Sequence, residues 1–281
     1  MSPATARKIE TQNTGTNPIA DRVAALDWGA IAQSLDTHGC ATTGQLLTGE
    51  ECEAVSSRYN EDPLYRSRVI MARHGFGRGE YKYFAYPLPD PIASLRTSLY
   101  PALADVANRW NEQMGIETRY PDAHAAWLKR CHAAGQGRPT PLLLQYGEGD
   151  YNCLHQDVYG ELVFPIQVAF LLSRPQDFTG GEFVLTEQRP RMQSRAEVVP
   201  LRQGEGAIFP VHHRPVQGTR GVYRVNMRHG VSRLRSGKRH TLGIIFHDGK
   251  WLDARVAMVR DARVLGFDAR PNHGGGPCVS R

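Results

Sequence analysis

Apolar residues in the first half of the chain recur at helical spacing between recognisable helix ends. Asp27 precedes the segment WGAIAQSLDTH, and the capping box Thr48-Gly-Glu-Glu51 precedes ECEAVSSRYN. Asp90-Pro91 opens IASLRTSLYPALADVANRWNEQM, which Pro101 is expected to kink or divide. PDAHAAWLKRCHAA has the pattern of a further helix, whereas YKYFAYPLP is a strand or a loop. We therefore predict a mainly helical portion over residues 17–135 that packs on the remainder.

The pattern changes after the Gly- and Pro-rich stretch GQGRPTP. Short β-type runs follow, separated by turn residues: LLLQY, VFPIQVAFLLS, EFVLTE, AEVVPLR, GAIFPV, VYRVNMRH and RHTLGIIF. Seven such runs without intervening helices are typical of an antiparallel sandwich or jelly roll. The predicted fold is therefore α+β, with a β-rich core over residues 136–250. We expect residues 1–16 to be disordered and residues 251–281 to form a C-terminal extension with a loose end.

The composition is that of a globular protein. The chain has 281 residues, of which 41% are hydrophobic and 22% charged, enough for a substantial core. The five cysteines are an odd number without Cys-x-x-Cys spacing, which favours reduced thiols in a cytosol over a disulfide framework. No signal-peptide pattern and no 18-residue apolar run occurs, so we expect a cytoplasmic protein without membrane association.

The positive charge is concentrated in the second half of the chain. The formal net charge is +6, yet residues 1–135 contain 14 basic and 15 acidic residues. Residues 189–239 contain 12 basic residues, 11 of them arginines, and 2 acidic residues. Arginine binds anions in a bidentate manner, so this segment favours a polyanionic partner, although arginines on outer strand faces also solvate a sheet.

A candidate metal site begins at His155-Gln-Asp157, because residues two apart in an extended segment point to the same face. A second histidine from a later strand would complete it, and the candidates are His212, His213, His229, His240 and His247. His229 is favoured, since it alternates with polar residues on the same face as Val225 and Met227. His212 and His213 precede a turn and are interpreted as a surface pair.

Two imidazoles and one carboxylate are the ligands of non-haem Fe(II) oxygenases, although a zinc hydrolase would use the same set. Arg239 distinguishes these possibilities, because it stands ten residues after His229 at the start of a strand. An arginine there could bind one end of a dicarboxylate whose other end chelates iron.

These motifs resemble those of the Fe(II)/2-oxoglutarate-dependent dioxygenases. The resemblance covers residues 140–248 and rests on LLLQYGEGDYNCLHQD, TGGEFVLTE, GEGAIFP and HGVSRLRSGKR. It implies a double-stranded β-helix, Fe(II) bound by His155, Asp157 and His229, and 2-oxoglutarate bound by Arg239 with help from Tyr146. It also implies O₂ as a substrate, release of succinate and CO₂, and ascorbate as a candidate reductant.

A narrower resemblance, over most of residues 25–250, is to the bacterial Oxygenase-NA family. It rests on LYPALADVANRWNEQMG and LLLQYGEGDYNCLHQDVYGELVFPIQ. Members are predicted to demethylate damaged nucleic acid bases by AlkB-like chemistry. The ten-residue spacing to Arg239 and the Gly-Gly-Glu turn resemble prolyl hydroxylases instead, which favours a protein side chain or a small anionic metabolite as the substrate. A non-catalytic jelly-roll module is the remaining alternative.

The segment HGFGRGEYKYFAYPLP, around residues 75–90, is either a substrate lid or strands that pack aromatic side chains on the core. The candidate substrate contacts are Arg78, Tyr81 and Tyr83 in this segment, and Arg224 and Arg228 in the arginine-rich segment. The oligomeric state is not indicated by any motif.

Overall fold

The computed structural model describes residues 18–158, 160–189 and 191–250. The α-helices in this part of the chain are α1 (Pro18–Ala24), α2 (Trp28–His38), α3 (Gly49–Ser57), α4 (Ile92–Gln113) and α5 (His124–Ala133). The strands are β1 (Ala41–Gln45), β2 (Tyr65–Ile70), β3 (Gly77–Arg78), β4 (Glu80–Phe84), β5 (Leu142–Tyr146), β6 (Tyr151–His155), β7 (Ile166–Leu171), β8 (Phe178–Gly180), β9 (Phe183–Gln188), β10 (Arg195–Val199), β11 (Glu205–Pro210), β12 (His213–Gly218), β13 (Gly221–Val231), β14 (Leu234–Gly237) and β15 (Arg239–Ile245). The expectations for residues 1–16 and 251–281 lie outside the described residues.

The strands form two large antiparallel sheets. The first has the order β1-β11-β7-β15-β5-β4-β2, and the second has the order β10-β9-β13-β6-β3, with β12 added alongside β13. Strands β8 and β14 form a separate short pair. All seven predicted β runs are strands, and the predicted α+β jelly roll, a double-stranded β-helix, is confirmed.

The first sheet separates the helices from the interior of the β-helix. On β7, Ile166, Val168 and Phe170 belong to the core cluster that also contains the buried faces of α1, α2, α4 and α5. The alternate residue Ala169 packs with Phe183 of β9 and Phe209 of β11 in the interior of the β-helix. Because side chains alternate along a strand, Gln167 points into the same interior.

Residues 18–135 contain helices α1 to α5 and also strands β1 to β4, which join the two sheets. Strand β4 lies between β2 and β5 in the first sheet, and β3 pairs with β6 in the second. Strand β2 lacks an alternation of buried and exposed residues, so its pairing with β4, and not its own pattern, makes it a strand.

Helix α4 runs unbroken through Pro101, so the predicted division at this residue is wrong. Buried residues on both sides of the proline, including Leu99 and Leu103, hold the helix on the sheet. Tertiary packing therefore outweighs the loss of one helical hydrogen bond.

A buried ion pair fastens α4 to the end of β15. The Arg96 guanidinium donates to Oδ1 of Asp248 at 2.8 Å and to the carbonyl of Ile245 at 2.8 Å. The hydroxyl of Tyr86 and Nε2 of His132 also contact this carboxylate. Burial raises the pKa of Asp248, but the charge of Arg96 and these hydrogen bonds outweigh burial and lower it. Within the described ranges, no helix is long and apolar enough to cross a membrane.

Candidate active site

The two predicted histidines are direct neighbours across the second sheet. His155 ends β6 and is the register partner of His229 on β13, with 4.1 Å between the ring centroids. Asp157 follows two residues later, with Oδ1 3.4 Å from Nε2 of His155 and Oδ2 3.3 Å from Nε2 of His229. The structure thus brings all three predicted ligands together, and their donor atoms lie within 4.8 Å of one another.

Neighbouring groups fix the orientation of these side chains. Nδ1 of His155 lies 2.8 Å from the carbonyl of Cys153, which leaves Nε2 directed at Asp157. The ring of Phe209 packs 4.7 Å from that of His229. Nε2 of Gln167 donates to Oδ2 of Asp157 at 2.9 Å.

The electrostatic environment favours the protonation states that bind metal. Burial raises the pKa of Asp157, but the charge of His155 and hydrogen bonds from both histidines outweigh it and hold the pKa well below its usual value. Burial and the charge of His155 lower the pKa of His229 against the effect of Asp157. At neutral pH the site therefore offers a carboxylate and a neutral imidazole at these positions.

The donor set fits Fe(II). Donors about 2.1 Å from one ion at adjacent positions lie about 3 Å apart, close to the distances from Asp157 to the two histidines. Two imidazoles and one carboxylate on one face leave further coordination positions for a co-substrate and O₂.

Arg239 lies on the facing sheet, directly opposite Tyr146 in the register of β15 and β5. Its side chain is only 2% exposed, and Nη1 donates to the Thr241 hydroxyl at 2.5 Å. Among the described residues no carboxylate forms an ion pair with it, and its Nε has no hydrogen-bond partner. Burial lowers the pKa of this guanidinium. Because the buried cation has no carboxylate partner among the described residues, an anionic ligand would stabilise it.

The tyrosine beside this arginine is equally buried. Tyr146 is 1% exposed, its hydroxyl has no hydrogen-bond partner, and its ring lies 5.7 Å from the guanidinium carbon of Arg239. Burial raises the pKa of Tyr146 to about 12 against the charge of Arg239, so the hydroxyl is a neutral donor. An unpaired guanidinium and a free hydroxyl fit the distal carboxylate of 2-oxoglutarate.

The Gly-Gly-Glu turn packs closely against the side chain of Arg239. A Cβ on Gly181 would lie 3.1 Å from Cδ of Arg239 and 2.7 Å from a methyl carbon of Leu234. Its backbone φ of +69° also favours glycine. The turn therefore allows the chain to approach the arginine closely.

A cavity of about 670 Å³ opens over the three metal ligands. Asp157 is the only Asp, Glu, Lys or Arg side chain in its lining of described residues. The rest is apolar, aromatic or neutral and polar, and the rings at its wall belong to His74, Phe76, Tyr81, Tyr83, Tyr146, Phe183, Phe209, His212 and His213.

The predicted substrate residues divide into two groups. Tyr81 and Tyr83 line the cavity and pack edge to face with centroids 5.4 Å apart. Arg78, Arg224 and Arg228 are not in its lining. Arg78 is exposed and 3.8 Å from Asp150, and the exposed Arg224 donates to the carbonyl of Met114. Arg228 is half-buried.

The segment 75–90 is held by strand pairing, since it supplies β3 to one sheet and β4 to the other. Phe84 is buried in the helical core, and Tyr81 packs in a cluster with Tyr146. The structure therefore agrees with strands that pack aromatic side chains, and not with a free lid.

Three polar features of the cavity wall were not predicted from the sequence to line the site. Gln167 interrupts the apolar run VFPIQVAFLLS, a signal that could have identified it. His212 and His213 have tilted rings with centroids 4.2 Å apart and line the cavity wall, so their interpretation as a surface pair is wrong. Asn226 lies beside them as the register partner of His213.

Part of the arginine-rich segment has a structural role. Arg189, Arg195 and the buried Arg214 converge on the carboxylate of Glu187, which is itself 3% exposed. These arginines neutralise one buried acid, so they do not all act as a free anion-binding surface.

Comparisons with known proteins agree with this site. Residues 79–249 match the model of the family Oxygenase-NA, described as an oxygenase catalysing oxidative methylation of damaged DNA. An uncharacterized protein of Mycobacterium tuberculosis, from strains CDC 1551 and H37Rv, is 51% identical over 166 residues, which cover 59% of this chain and 71% of that protein.

Solved structures resemble the chain more distantly. A prolyl-4-hydroxylase from Pseudomonas putida is 14% identical with a TM-score of 0.45, over 79% of this chain and 100% of that chain. A prolyl hydroxylase from Trichoplax adhaerens, in complex with a hypoxia inducible factor peptide fragment, is 13% identical with a TM-score of 0.47, over 82% and 92%.

Proposed function

The chain belongs to the Oxygenase-NA family and is an Fe(II)- and 2-oxoglutarate-dependent oxygenase, and we propose that its substrate is an alkylated base in nucleic acid. When bound, Fe(II) and 2-oxoglutarate activate O₂, so that one oxygen atom enters succinate with loss of CO₂ and the other enters a substrate C–H bond. On an N-methyl group this oxidation yields an N-hydroxymethyl group, which releases formaldehyde and leaves the base with an N–H. The proposed reaction is therefore demethylation.

Different residues of the chain would position the metal and the co-substrate. His155, Asp157 and His229 would hold Fe(II), and Arg239 with the Tyr146 hydroxyl would hold the distal carboxylate of 2-oxoglutarate. The apolar cavity wall excludes water from the reacting groups. These roles follow from the donor atoms and from the burial of each group.

The proposal rests on the contrast between a neutral, aromatic cavity and the basic segment of residues 189–239. No lysine or arginine side chain is present in the described lining, so a small anionic metabolite would find no counter-charge there apart from that held for 2-oxoglutarate. A base is flat and stacks on aromatic rings, and it is carried by a polyanion. The rings of Tyr83, Phe76 and His213 provide such stacking surfaces.

The test is formaldehyde and succinate production with Fe(II), 2-oxoglutarate and ascorbate. The panel contains N-methylated oligonucleotides, the same oligonucleotides without methyl groups, proline-containing peptides and small carboxylic acids. We expect formaldehyde from the methylated oligonucleotides alone, and none from the His155→Ala variant. Succinate production driven by a peptide, with no formaldehyde from any oligonucleotide, would replace the proposal with a protein hydroxylase.

A second measurement tests the cofactors separately from the substrate. Anaerobic addition of Fe(II) and 2-oxoglutarate should produce a weak visible charge-transfer band that is absent in His155→Ala. Turnover supported by zinc without iron would contradict the oxygenase chemistry.

A further inference from the structure

Two β-hairpins stand side by side at one end of the second sheet. We call β9–β10 and β12–β13 the paired hairpins. Asn226 of β13 is the register partner of Gln188, the last residue of β9, and also of His213 in β12. Beyond Asn226, the outer part of β13 continues with β12 to a tip at Thr219 and Arg220. The two hairpins therefore share a base at Asn226.

This base forms part of the cavity wall. Asn226 and His213 both line the cavity above the metal ligands. Burial, together with the charges of His213 and Arg224, lowers the pKa of the neighbouring His212 to about 4. Arg224 precedes Asn226 by two residues on β13, so its side chain leaves the strand on the same face as Asn226.

The outer surface of the paired hairpins is basic. Arg191, Arg220 and Arg224 are exposed, and among the described residues none of them forms an ion pair with a carboxylate. The acid Glu187 is buried and already paired with arginines. The sequence contains no Asp or Glu between residues 206 and 247, so Glu197 is the only exposed acid on the two hairpins.

Exposed apolar side chains lie among these arginines. Met192 is 61% exposed near the tip of β9–β10, and Val222 is 40% exposed near the tip of β12–β13. A surface that mixes unpaired guanidinium groups with apolar side chains suits a chain of phosphates, sugars and bases better than a simple inorganic anion.

We propose that the paired hairpins bind the sugar-phosphate backbone of the nucleic acid whose alkylated base enters the cavity. This inference rests on the proposed function and adds to it the surface that holds the polymer. Arg224 lies on the same strand face as Asn226 of the cavity wall, while Arg191 and Arg220 contact phosphates further along the nucleic acid strand. Such contacts release counterions, so binding must weaken steeply as salt rises.

Binding is measured by fluorescence anisotropy with an unmodified single-stranded oligonucleotide over a range of salt concentrations, which requires no catalysis. The test variant is Arg191→Glu/Arg220→Glu, and the matched control is Lys129→Glu, an exposed cation on α5. We expect the double variant to bind at least about tenfold more weakly at low salt and to have a salt slope smaller by about two. The control should bind like the wild type. Equal affinity and equal slope for the double variant would overturn the proposal.

Two further experiments identify the ligand of the paired hairpins and separate this inference from the proposed function. Polyglutamate of matched length should compete far more weakly than the oligonucleotide; equal competition would overturn nucleic acid as the occupant. Formaldehyde release from a methylated nucleoside and from a methylated oligonucleotide is then compared. The double variant should lower the oligonucleotide-to-nucleoside activity ratio. An unchanged ratio with an active wild type would overturn only the hairpin surface, whereas a wild type that binds but releases no formaldehyde would overturn the proposed function.

Discussion

Nε2 of Gln167 lies 2.9 Å from Oδ2 of Asp157, so a buried amide donates a hydrogen bond to the carboxylate of the metal site. The same nitrogen is 3.3 Å from Nε2 of His229. Gln167 is 3% exposed and sits on β7, in the sheet that faces the histidines. One side chain on the first sheet thus orients ligands that the second sheet supplies.

Replacing Gln167 with leucine should weaken metal binding. The variant keeps the side-chain volume but removes the donor to Asp157, and loss of a hydrogen bond to a metal ligand costs about 10- to 100-fold in affinity. Anaerobic calorimetry with Mn(II) or Fe(II) measures this directly. Gln203→Leu is the control, because Gln203 donates to the carbonyl of Leu172 outside the cavity. An unchanged metal affinity in Gln167→Leu would remove its positioning role.

Gly181→Ala should impair both stability and 2-oxoglutarate binding. The added Cβ meets Arg239 and Leu234, and the left-handed backbone conformation costs about 1–2 kcal/mol for a non-glycine residue. Gly44→Ala is a matched control, since its φ is +65° and no atom lies within 4 Å of the new Cβ. Urea unfolding should show a similar backbone cost in both variants. Only Gly181→Ala should also raise the KM for 2-oxoglutarate.

Arg239→Met should raise the KM for 2-oxoglutarate by about 10- to 100-fold, the effect of losing a charged hydrogen bond. Metal affinity should stay near that of the wild type, because Arg239 lies on the facing sheet and contacts none of the ligands. The variant removes a buried cation that has no carboxylate partner among the described residues, so the unliganded protein should not lose stability. The exposed Arg235 provides the control variant Arg235→Met. A wild-type KM in Arg239→Met would exclude the assigned role.

Acid should weaken the attachment of α4 to β15. The pKa of Asp248 is lower in the folded protein than in the unfolded chain, where it is about 3.9, so the unfolded chain takes up the proton first. The stabilisation is complete above that pH and is lost as the pH falls towards the folded pKa. Asp248→Asn should lower the free energy of unfolding at pH 7 by about 3 kcal/mol or more, because Arg96 loses its charged partner.

Urea unfolding between pH 7 and pH 3 checks this expectation. The free energy of unfolding of Asp248→Asn should depend less on pH than that of the wild type. The exposed Asp122 offers the control Asp122→Asn, which should keep the wild-type pH dependence. Identical pH profiles for wild type and Asp248→Asn would show that another acid dominates.

Local patterns were sufficient to predict seven of the described strands and much of the candidate site. Alternation placed Val225, Met227 and His229 on one face of β13, and all three are buried there. Arg239 was identified because it stands ten residues after His229 at the start of a predicted strand. The α+β class followed from the change of periodicity near residue 135.

Contacts between distant strands were not accessible in the same way. Strand β2 has no alternation of its own, and its place depends on β4. The polar residue Gln167 was visible within an apolar run, but its contact with Asp157 depends on how the two sheets face each other. His212 and His213 follow a turn-like pattern, yet the hairpin base turns them into the cavity.

The direct pairing of His155 with His229 has a consequence for the energetics of folding. These residues are far apart in the sequence, so an ion bound to both is a reversible cross-link that closes a long loop of the chain. Such a closure removes conformations from the unfolded ensemble and ties two neighbouring strands in one register. A metal ion bound at this site would therefore stabilise the folded chain in addition to supplying chemistry.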